Sequence, residues 1–510
     1  MTASRHLADL PTLLAATCVC LLAYLYLRRP RNLPPGPKGW PIVGNLPMLA
    51  NSAFLPATLM ELSKQYGDVM TIWMGRFPAI VLTGHETIRN ALVKRAEDFS
   101  SRKAPPAQAM AGRDKGVLQA PYGPHWKQQR KFALMTLRDF GFGKRSLEVK
   151  ISEEADALVQ EILSHNGQPF DLKIMMQNAV SNIICSIVFG DRFEYGDPDF
   201  LRLISLLNTV IEAKPSVIDR LENIHPVFRF LRLFGKSGRD KATRMLQTVQ
   251  EFCREQIEKH RLTLDPNDIR DFTDAFLLEQ QRAPEEKARE HFTDKQLQEV
   301  LMDLFVAGTE TTATTTRWAL LYMMLNPNIQ EKASSGNFYM CPQVHQEIDS
   351  VLGQSAPSYA QRNLLPYTTA TLAEVQRIKS IVPLVGHAAS RDTTFNGYNV
   401  PQEGRLLINL WSVHMDPQLF PEPNTFQPER FLDQDGNFVK HEALIPFSMG
   451  HRICLGEQLA KMELFMLFVS LMQRFTFNLP EGAPVPSMLG KLGSVVNVPF
   501  PFELCAVARG

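Results

Sequence analysis

The seven cysteines of this 510-residue chain are scattered, at positions 18, 20, 185, 253, 341, 454 and 505, and none stands in a C-x-x-C pair. That spacing excludes a zinc site of the usual kind and a disulfide framework, and it suits a reducing compartment. Charge of one sign is lacking too. Lysines and arginines nearly balance the acids, for a net charge of +1, so nothing favours a nucleic-acid partner and any electrostatic docking must come from a local patch. There is no internal repeat, no low-complexity tract and no Gly/Ser linker after Pro37. Long apolar runs are absent apart from one.

That run is Leu10 to Leu27, about eighteen residues without a charge, near the lower limit for spanning a bilayer. Arg28, Arg29 and Arg31 come directly after it and favour a cytosolic flank, which places the N-terminus in the lumen. No small-x-small cleavage site succeeds the run, so the reading is a retained anchor over residues 1–31. Pro34-Pro35-Gly36-Pro37 cannot continue a helix and predicts a stiff hinge over residues 32–50. The remainder, 51–510, reads as one domain. Val69–Trp73 and Ala79–Leu82 predict two strands with a turn near Gly75, and beyond them the pattern is mainly helical. The expected class is mainly α with a small β-sheet region (α+β).

The stretch Phe447-Ser448-Met449-Gly450-His451-Arg452-Ile453-Cys454-Leu455-Gly456 holds one cysteine among two glycines, an arginine and an aromatic, before an apolar segment from Glu457 to about Arg474. Glycines permit tight turns close to a flat ligand. The start of the expected helix and Arg452 both favour a thiolate at Cys454, and a thiolate is a good axial ligand for haem iron. Alone, such a cysteine is more often a buried structural residue in a turn.

Further motifs lie upstream. Trp126 and Arg130 stand at i and i+4 of a helix that Pro124 starts well. An indole N–H and a guanidinium on one face suit a carboxylate, though alone they equally describe packing and a surface charge. The longest helix is expected from about Asp294 to Leu325, about 48 Å at 1.5 Å per residue. A capping box of Thr293 and Gln296 opens it, with a staple of Phe292 and Leu297. In its middle, Ala307-Gly308-Thr309-Glu310-Thr311-Thr312 leaves space beside the helix and offers hydroxyls that can bond backbone carbonyls. Glu374 and Arg377 share a helical face at i and i+3.

The pattern F-x-x-G-x-R-x-C-x-G, with W-x-x-x-R, A-G-T-E-T-T and E-x-x-R in this order, resembles the cytochrome P-450 superfamily. The hinge and the Asn409–Asp416 segment are similar to its microsomal family 2. The resemblance implies a single haem-thiolate domain of that fold, with haem b as cofactor and Cys454 as the iron ligand. Phe447 and Gly456 would belong to the haem loop, and Arg102, Trp126, Arg130, His387 and Arg452 would partner the propionates. Thr311 would hold water and oxygen by hydrogen bonds, Glu310 would relay protons from solvent, and Glu374, Arg377 and Arg430 would form a buried structural triad under the haem loop. It implies a membrane-bound monooxygenase of the endoplasmic reticulum with a cytosolic catalytic domain. Such an enzyme puts one atom of O2 into a lipophilic substrate, a fatty acid or a xenobiotic. Electrons would come from an NADPH-dependent flavoprotein reductase, helped by cytochrome b5, and Lys127, Lys131 and Lys144 would offer the docking patch. A haem-thiolate isomerase or dehydratase, and a haem-binding product without catalysis, are the alternatives; Glu310 and Thr311 count against the first. The substrate-facing positions would be Ala104–Gln119, Leu206–Ile211, Phe305, Ala307, Thr311, Leu384, Val385 and the turn near Leu489. Two departures stand out. Ala333–Gln343 interrupts an expected helix and predicts an exposed loop, and Val382–His387 is one residue short with Gly386 before the histidine.

Overall fold

A helix buries a stripe and a sheet buries a face, and this chain segregates the two into adjoining cores. The structure is a computed structural model that describes residue 17 and residues 32–75, 77–103, 115–141, 145–212, 238–284, 290–330, 344–493 and 495–509. The anchor, Arg28–Arg31, Ala104–Asp114, Lys144 and Ala333–Gln343 lie outside these. Among the described residues no helix is long and apolar enough to cross a membrane.

Helices of eight residues or more are numbered in chain order: α1 (Leu55–Tyr66), α2 (Pro124–Asp139), α3 (Arg145–Ser164), α4 (Lys173–Val188), α5 (Pro198–Glu212), α6 (Gly238–Thr263), α7 (Phe272–Arg282), α8 (Asp294–Leu325), α9 (Val344–Val351), α10 (Pro366–Ile378) and α11 (Glu457–Arg474). The expected strands are β1 (Val69–Met74) and β2 (Phe77–Leu82); β3 (Leu384–Ala388), β4 (Thr393–Phe395), β5 (Tyr398–Val400) and β6 (Arg405–Asn409) come after α10. Four of them form a sheet in the order β1-β2-β6-β3. In it β2 runs parallel to β6, and the other neighbours pair antiparallel.

The long helix α8 has the bounds expected of it, and it packs against α4, α6, α10 and α11 in the larger core. Thr293 caps it by accepting from Gln296 N. The capping box is only half made, because the Gln296 amide turns away to bond both main-chain groups of Gly116. Space beside the helix is also not what Gly308 provides. A Cβ there would lie 2.4 Å from Ile184 Cδ1, so the glycine admits α4 at close range. The proline-rich stretch is seated on the sheet: Thr71 N donates to Pro35 O (2.8 Å) and Trp73 N to Asn45 Oδ1 (2.7 Å), which covers the β1 edge.

Candidate functional site

The haem-loop motif is a rigid turn set by one glycine. Gly450 has φ +76°, and a Cβ there would sit 1.9 Å from Leu92 O, so only glycine fits between the loop and that chain. Arg452 straps the loop down, donating through Nε to Ser100 O (2.8 Å), through Nη1 to Val117 O (3.0 Å) and through Nη2 to Ala120 O. Cys454 N donates to Phe447 O (3.0 Å), and the Phe447 ring lies under the Lys461 ammonium at 5.4 Å. Cys454 comes shortly before α11, whose N-cap is Gly456. Its side chain keeps exposed surface, yet protein encloses its surroundings. Burial, joined by Glu457, pushes the thiol up, while the Gly456 N–H and Arg130 pull it down by less. Gly456 has φ −92°, which any residue adopts, and a Cβ there would meet no protein atom within 4 Å. Neither strain nor protein contact accounts for that glycine.

Around the loop converge Arg102, Arg130, Arg452 and His387. Burial and mutual repulsion hold Arg102 down to about 10, Arg452 to about 8 and His387 to about 3. Asp303 faces Arg102, but its carboxylate also accepts Val117 N and Leu118 N, each at 2.9 Å. Arg102 Nε and His387 Nε2 are buried without a hydrogen-bond partner. His387 keeps its place on β3 despite Gly386, opposite Leu406, with Nδ1 bonded to Phe99 O (2.7 Å). The guanidinium groups of Arg102, Arg130 and Arg452, with Arg102 Nε unpartnered, fit a group carrying two carboxylates and a metal for Cys454, as haem does. The neutral His387 ring donates through Nδ1 to Phe99 O, so its Nε2 bonds a carboxylate only once it takes up a proton. Trp126 departs from expectation. Its only N–H donates to Val117 O (3.0 Å), so the indole serves as a platform, with Arg452 at 4.0 Å and Arg130 at 5.5 Å from the ring. Arg130 in turn donates to Ile453 O beside the cysteine.

The middle of α8 is buried on most sides, but Ala307 is exposed and Thr311 half-exposed. The Thr311 hydroxyl donates to Ala307 O (2.7 Å). Glu310 lies elsewhere. Adjacent helical residues point about 100° apart, and the Glu310 carboxylate is buried against α4, where it accepts from Gln177 Nε2 and from Thr314 Oγ1 (2.7 Å). Gln177 continues to Asn208 of α5 (2.6 Å). Among the described residues the Glu310 carboxylate thus leads through Gln177 to the half-buried Asn208 and not toward Thr311. Of the expected substrate-facing residues, Leu384 and Val385 are half-buried, Leu489 is exposed, and Phe305 is packed inside the core.

The triad is assembled. Arg377 holds Glu374 through two bonds, Nε to Oε2 (2.6 Å) and Nη2 to Oε1 (2.7 Å), and Arg430 Nε reaches Oε1 at 3.1 Å. Sequence reasoning missed His414, which links this triad to the haem loop. Arg377 Nη1 donates to His414 O (2.8 Å), and Ile445 N, just before Phe447, donates to His414 Nε2 (3.0 Å). Because Nε2 accepts, the proton sits on Nδ1, which faces Ser380 Oγ at 2.5 Å. The ring is neutral, and burial together with Arg377 lowers it to about 3. An unfolded histidine takes up its proton near 6.5. The stability His414 contributes is thus complete above about pH 6.5 and is lost as pH falls toward about 3. His414→Gln, which keeps an acceptor near Nε2 and cannot titrate, should show a flatter fall of melting temperature between pH 6.5 and 4 than the wild type. Parallel curves would remove His414 from the acid response.

Known proteins match nearly the whole chain. The family profile described as Cytochrome P450 matches residues 34–506. Cytochrome P450 2U1 of Homo sapiens is 39% identical, covering 98% of this chain and 93% of its own length. Cytochrome P450 2D4 of Rattus norvegicus is 41% identical, with 96% of each covered, and Cytochrome P450 2J2 of Homo sapiens is 41% identical over 98% of this chain and 96% of its own. A match that begins in the proline-rich segment and ends in the last strand takes in the cysteine loop, the cationic rim and the triad together, so the chain belongs to the cytochrome P450 family.

Proposed function

We propose that Cys454 ligates haem b iron, that Arg102, Arg130, His387 and Arg452 hold the propionates, and that Thr311 and Glu310 manage protons on the side of α8. The observation that carries this reading is the self-repelling set of Arg102, Arg130 and Arg452 around the cysteine loop, with Arg102 Nε unpartnered and the neutral His387 ring beside it. The reaction class follows from the family: this is a haem monooxygenase oxidoreductase of the microsomal family 2 type, an endoplasmic-reticulum membrane protein. It acts on lipophilic substrates with O2 and NADPH–cytochrome P450 reductase. Haem supplies the site for oxygen activation, which the thiolate promotes by donating electron density.

The chain's own residues do the rest. Cys454 needs its negative charge, which the Gly456 N–H and Arg130 favour against burial and Glu457. Ala307 leaves room for substrate on α8, and Thr311 offers a hydroxyl that can exchange its bond to Ala307 O for one to water. Glu310 must leave Gln177 to reach that side, and it then passes a proton to Thr311. Residues 1–31 form the anchor with a luminal N-terminus, residues 32–50 lead into the domain, 51–510 are the catalytic domain on the cytosolic side, and cytochrome b5 is a second electron donor.

Full-length enzyme with reductase and NADPH, offered a panel of fatty acids and xenobiotics under labelled O2, should give products carrying one labelled atom. A protein with the thiolate-type reduced-CO spectrum that turned over none of them would refute the substrate class. Thr311→Ala should retain haem and consume NADPH, while product per NADPH falls about tenfold, the effect of roughly one lost hydrogen bond, and hydrogen peroxide rises. An unchanged ratio would remove Thr311 from proton delivery.

A further inference from the structure

Every residue of α11 from Met462 to Met472 is buried, and among them only Glu463 carries an ionisable side chain. A carboxyl in an apolar run is costly unless something depends on it. Its side chain meets one polar partner. Thr312 Oγ1, on α8, donates to Glu463 Oε2 at 2.9 Å, and Oε1 is buried without a hydrogen bond. Thr312 is the residue after Thr311.

The surroundings show what this bond restrains. On one side α8 is held where Gly308 meets Ile184 of α4, and on the other where Thr312 meets Glu463 of α11. Thr315 and Thr316 bond back to the carbonyls of Thr311 and Thr312 at 2.7 and 3.0 Å, so the turn moves as a unit. Rotating α8 about its axis at this level would break the Thr312 bond and swing the Thr311 hydroxyl away from its present direction. We propose that Glu463 is a positioning residue for proton delivery, which acts through Thr312 to fix the rotation of α8 at Thr311. The inference rests on the role of Thr311 in proton delivery.

The carboxyl does this as the neutral acid. Burial raises it to about 8, against a smaller lowering by Thr312. The buried charged groups on the helices packed against α11 are Glu154 on α3, Glu299, Asp303, Glu310 and Arg317 on α8, His345 and Glu347 on α9, and Glu374 and Arg377 on α10. None of them perturbs Glu463, which answers to its burial and to Thr312. Near pH 7 it therefore accepts from Thr312 without a buried charge. Above about 8 it ionises, the apolar contact between α8 and α11 must admit solvent or counter-charge, and the restraint on α8 slackens. The sign for stability is the same: a carboxyl raised on folding stabilises fully below its unfolded value of 4.5, and that contribution is lost as pH rises toward about 8.

The test measures product and hydrogen peroxide per NADPH in reconstituted full-length enzyme from pH 6.5 to 9. Thr312→Val keeps size and removes the donor; product per NADPH should fall at least threefold at pH 7.4 with haem content unchanged. Glu463→Gln keeps a neutral acceptor; it should match the wild type at pH 7.4 and lose the alkaline fall the wild type shows above about pH 8. Wild-type coupling in Thr312→Val, or an alkaline fall in Glu463→Gln that parallels the wild type, overturns the proposal. Should Glu463→Gln not fold, the Thr312→Val arm decides alone. Thr311→Ala run beside them separates the two readings: if it too stays coupled, the role of Thr311 fails, whereas if it uncouples and Thr312→Val does not, only Glu463 is excluded.

Discussion

Replacing Cys454 with alanine abolishes monooxygenation and removes the red-shifted reduced-CO band that thiolate ligation produces. The effect is large because no other described cysteine lies in the loop. The remaining described cysteines, Cys185, Cys253 and Cys505, lie on α4, α6 and the final strand (Cys505–Ala508), and burial raises the first two above an ordinary thiol. The rim does not depend on the sulfur. Arg102 Nε and His387 Nε2 still lack partners, and Arg452 is still strapped to Ser100, Val117 and Ala120. Haem should therefore still enter the variant, with an absorption spectrum lacking the thiolate signature and with product below detection. Retention of the thiolate band in Cys454→Ala would show that Cys454 is not the ligand. Loss of all haem would show that the sulfur, not the rim, dominates cofactor retention.

The elements that carry local signals were readable in the chain. Thr293 and Asn326-Pro327 placed the two ends of α8, and the short apolar runs on either side of Gly75 placed β1 and β2. The spacing of Glu374 and Arg377 put them on one turn of α10, where they pair, while the third member, Arg430, came only through the resemblance. What escaped was set by partners far away in sequence. The Trp126 N–H is satisfied by Val117 O, and Gln296 is diverted from its capping role by Gly116. Glu310 follows Gln177, which nothing near the A-G-T-E-T-T segment announces. His414 was visible only as one residue in a similar segment, since its function arises from Arg377 and Ile445 meeting it from opposite sides. Glu463 did leave a signal, an isolated acid in eleven otherwise non-ionisable residues, which a search for charges out of pattern would find.

Arg377→Ala should cost about 3–5 kcal/mol of stability, the usual result of removing one partner from a buried ion pair. Domains hold about 5–15 kcal/mol in all, so this loss takes a large share of it, and the expected outcome is a protein recovered in low yield or without haem. Arg377 and Glu374 are each fully buried, so neither can turn to water when the other is lost. The guanidinium also ties three carbonyls, of His414, Pro423 and Thr425, to α10. Arg430 secures the same stretch at Pro421 and Glu422, but its bond to Glu374 is single and cannot replace the fork. The damage should spread along one route, from the His414 carbonyl to its ring, from the ring to Ile445 N, and from there into Phe447 and the cysteine loop. Arg377→Lys separates charge from geometry. It keeps the ammonium beside Glu374 but cannot span both carboxylate oxygens and the carbonyls at once. Its melting temperature should fall between wild type and alanine, with haem partly retained. Thermal melts and the ratio of Soret to protein absorbance check both variants. A lysine variant with wild-type stability would mean that the charge pair alone braces the loop and that the carbonyl ties of Arg377 are dispensable.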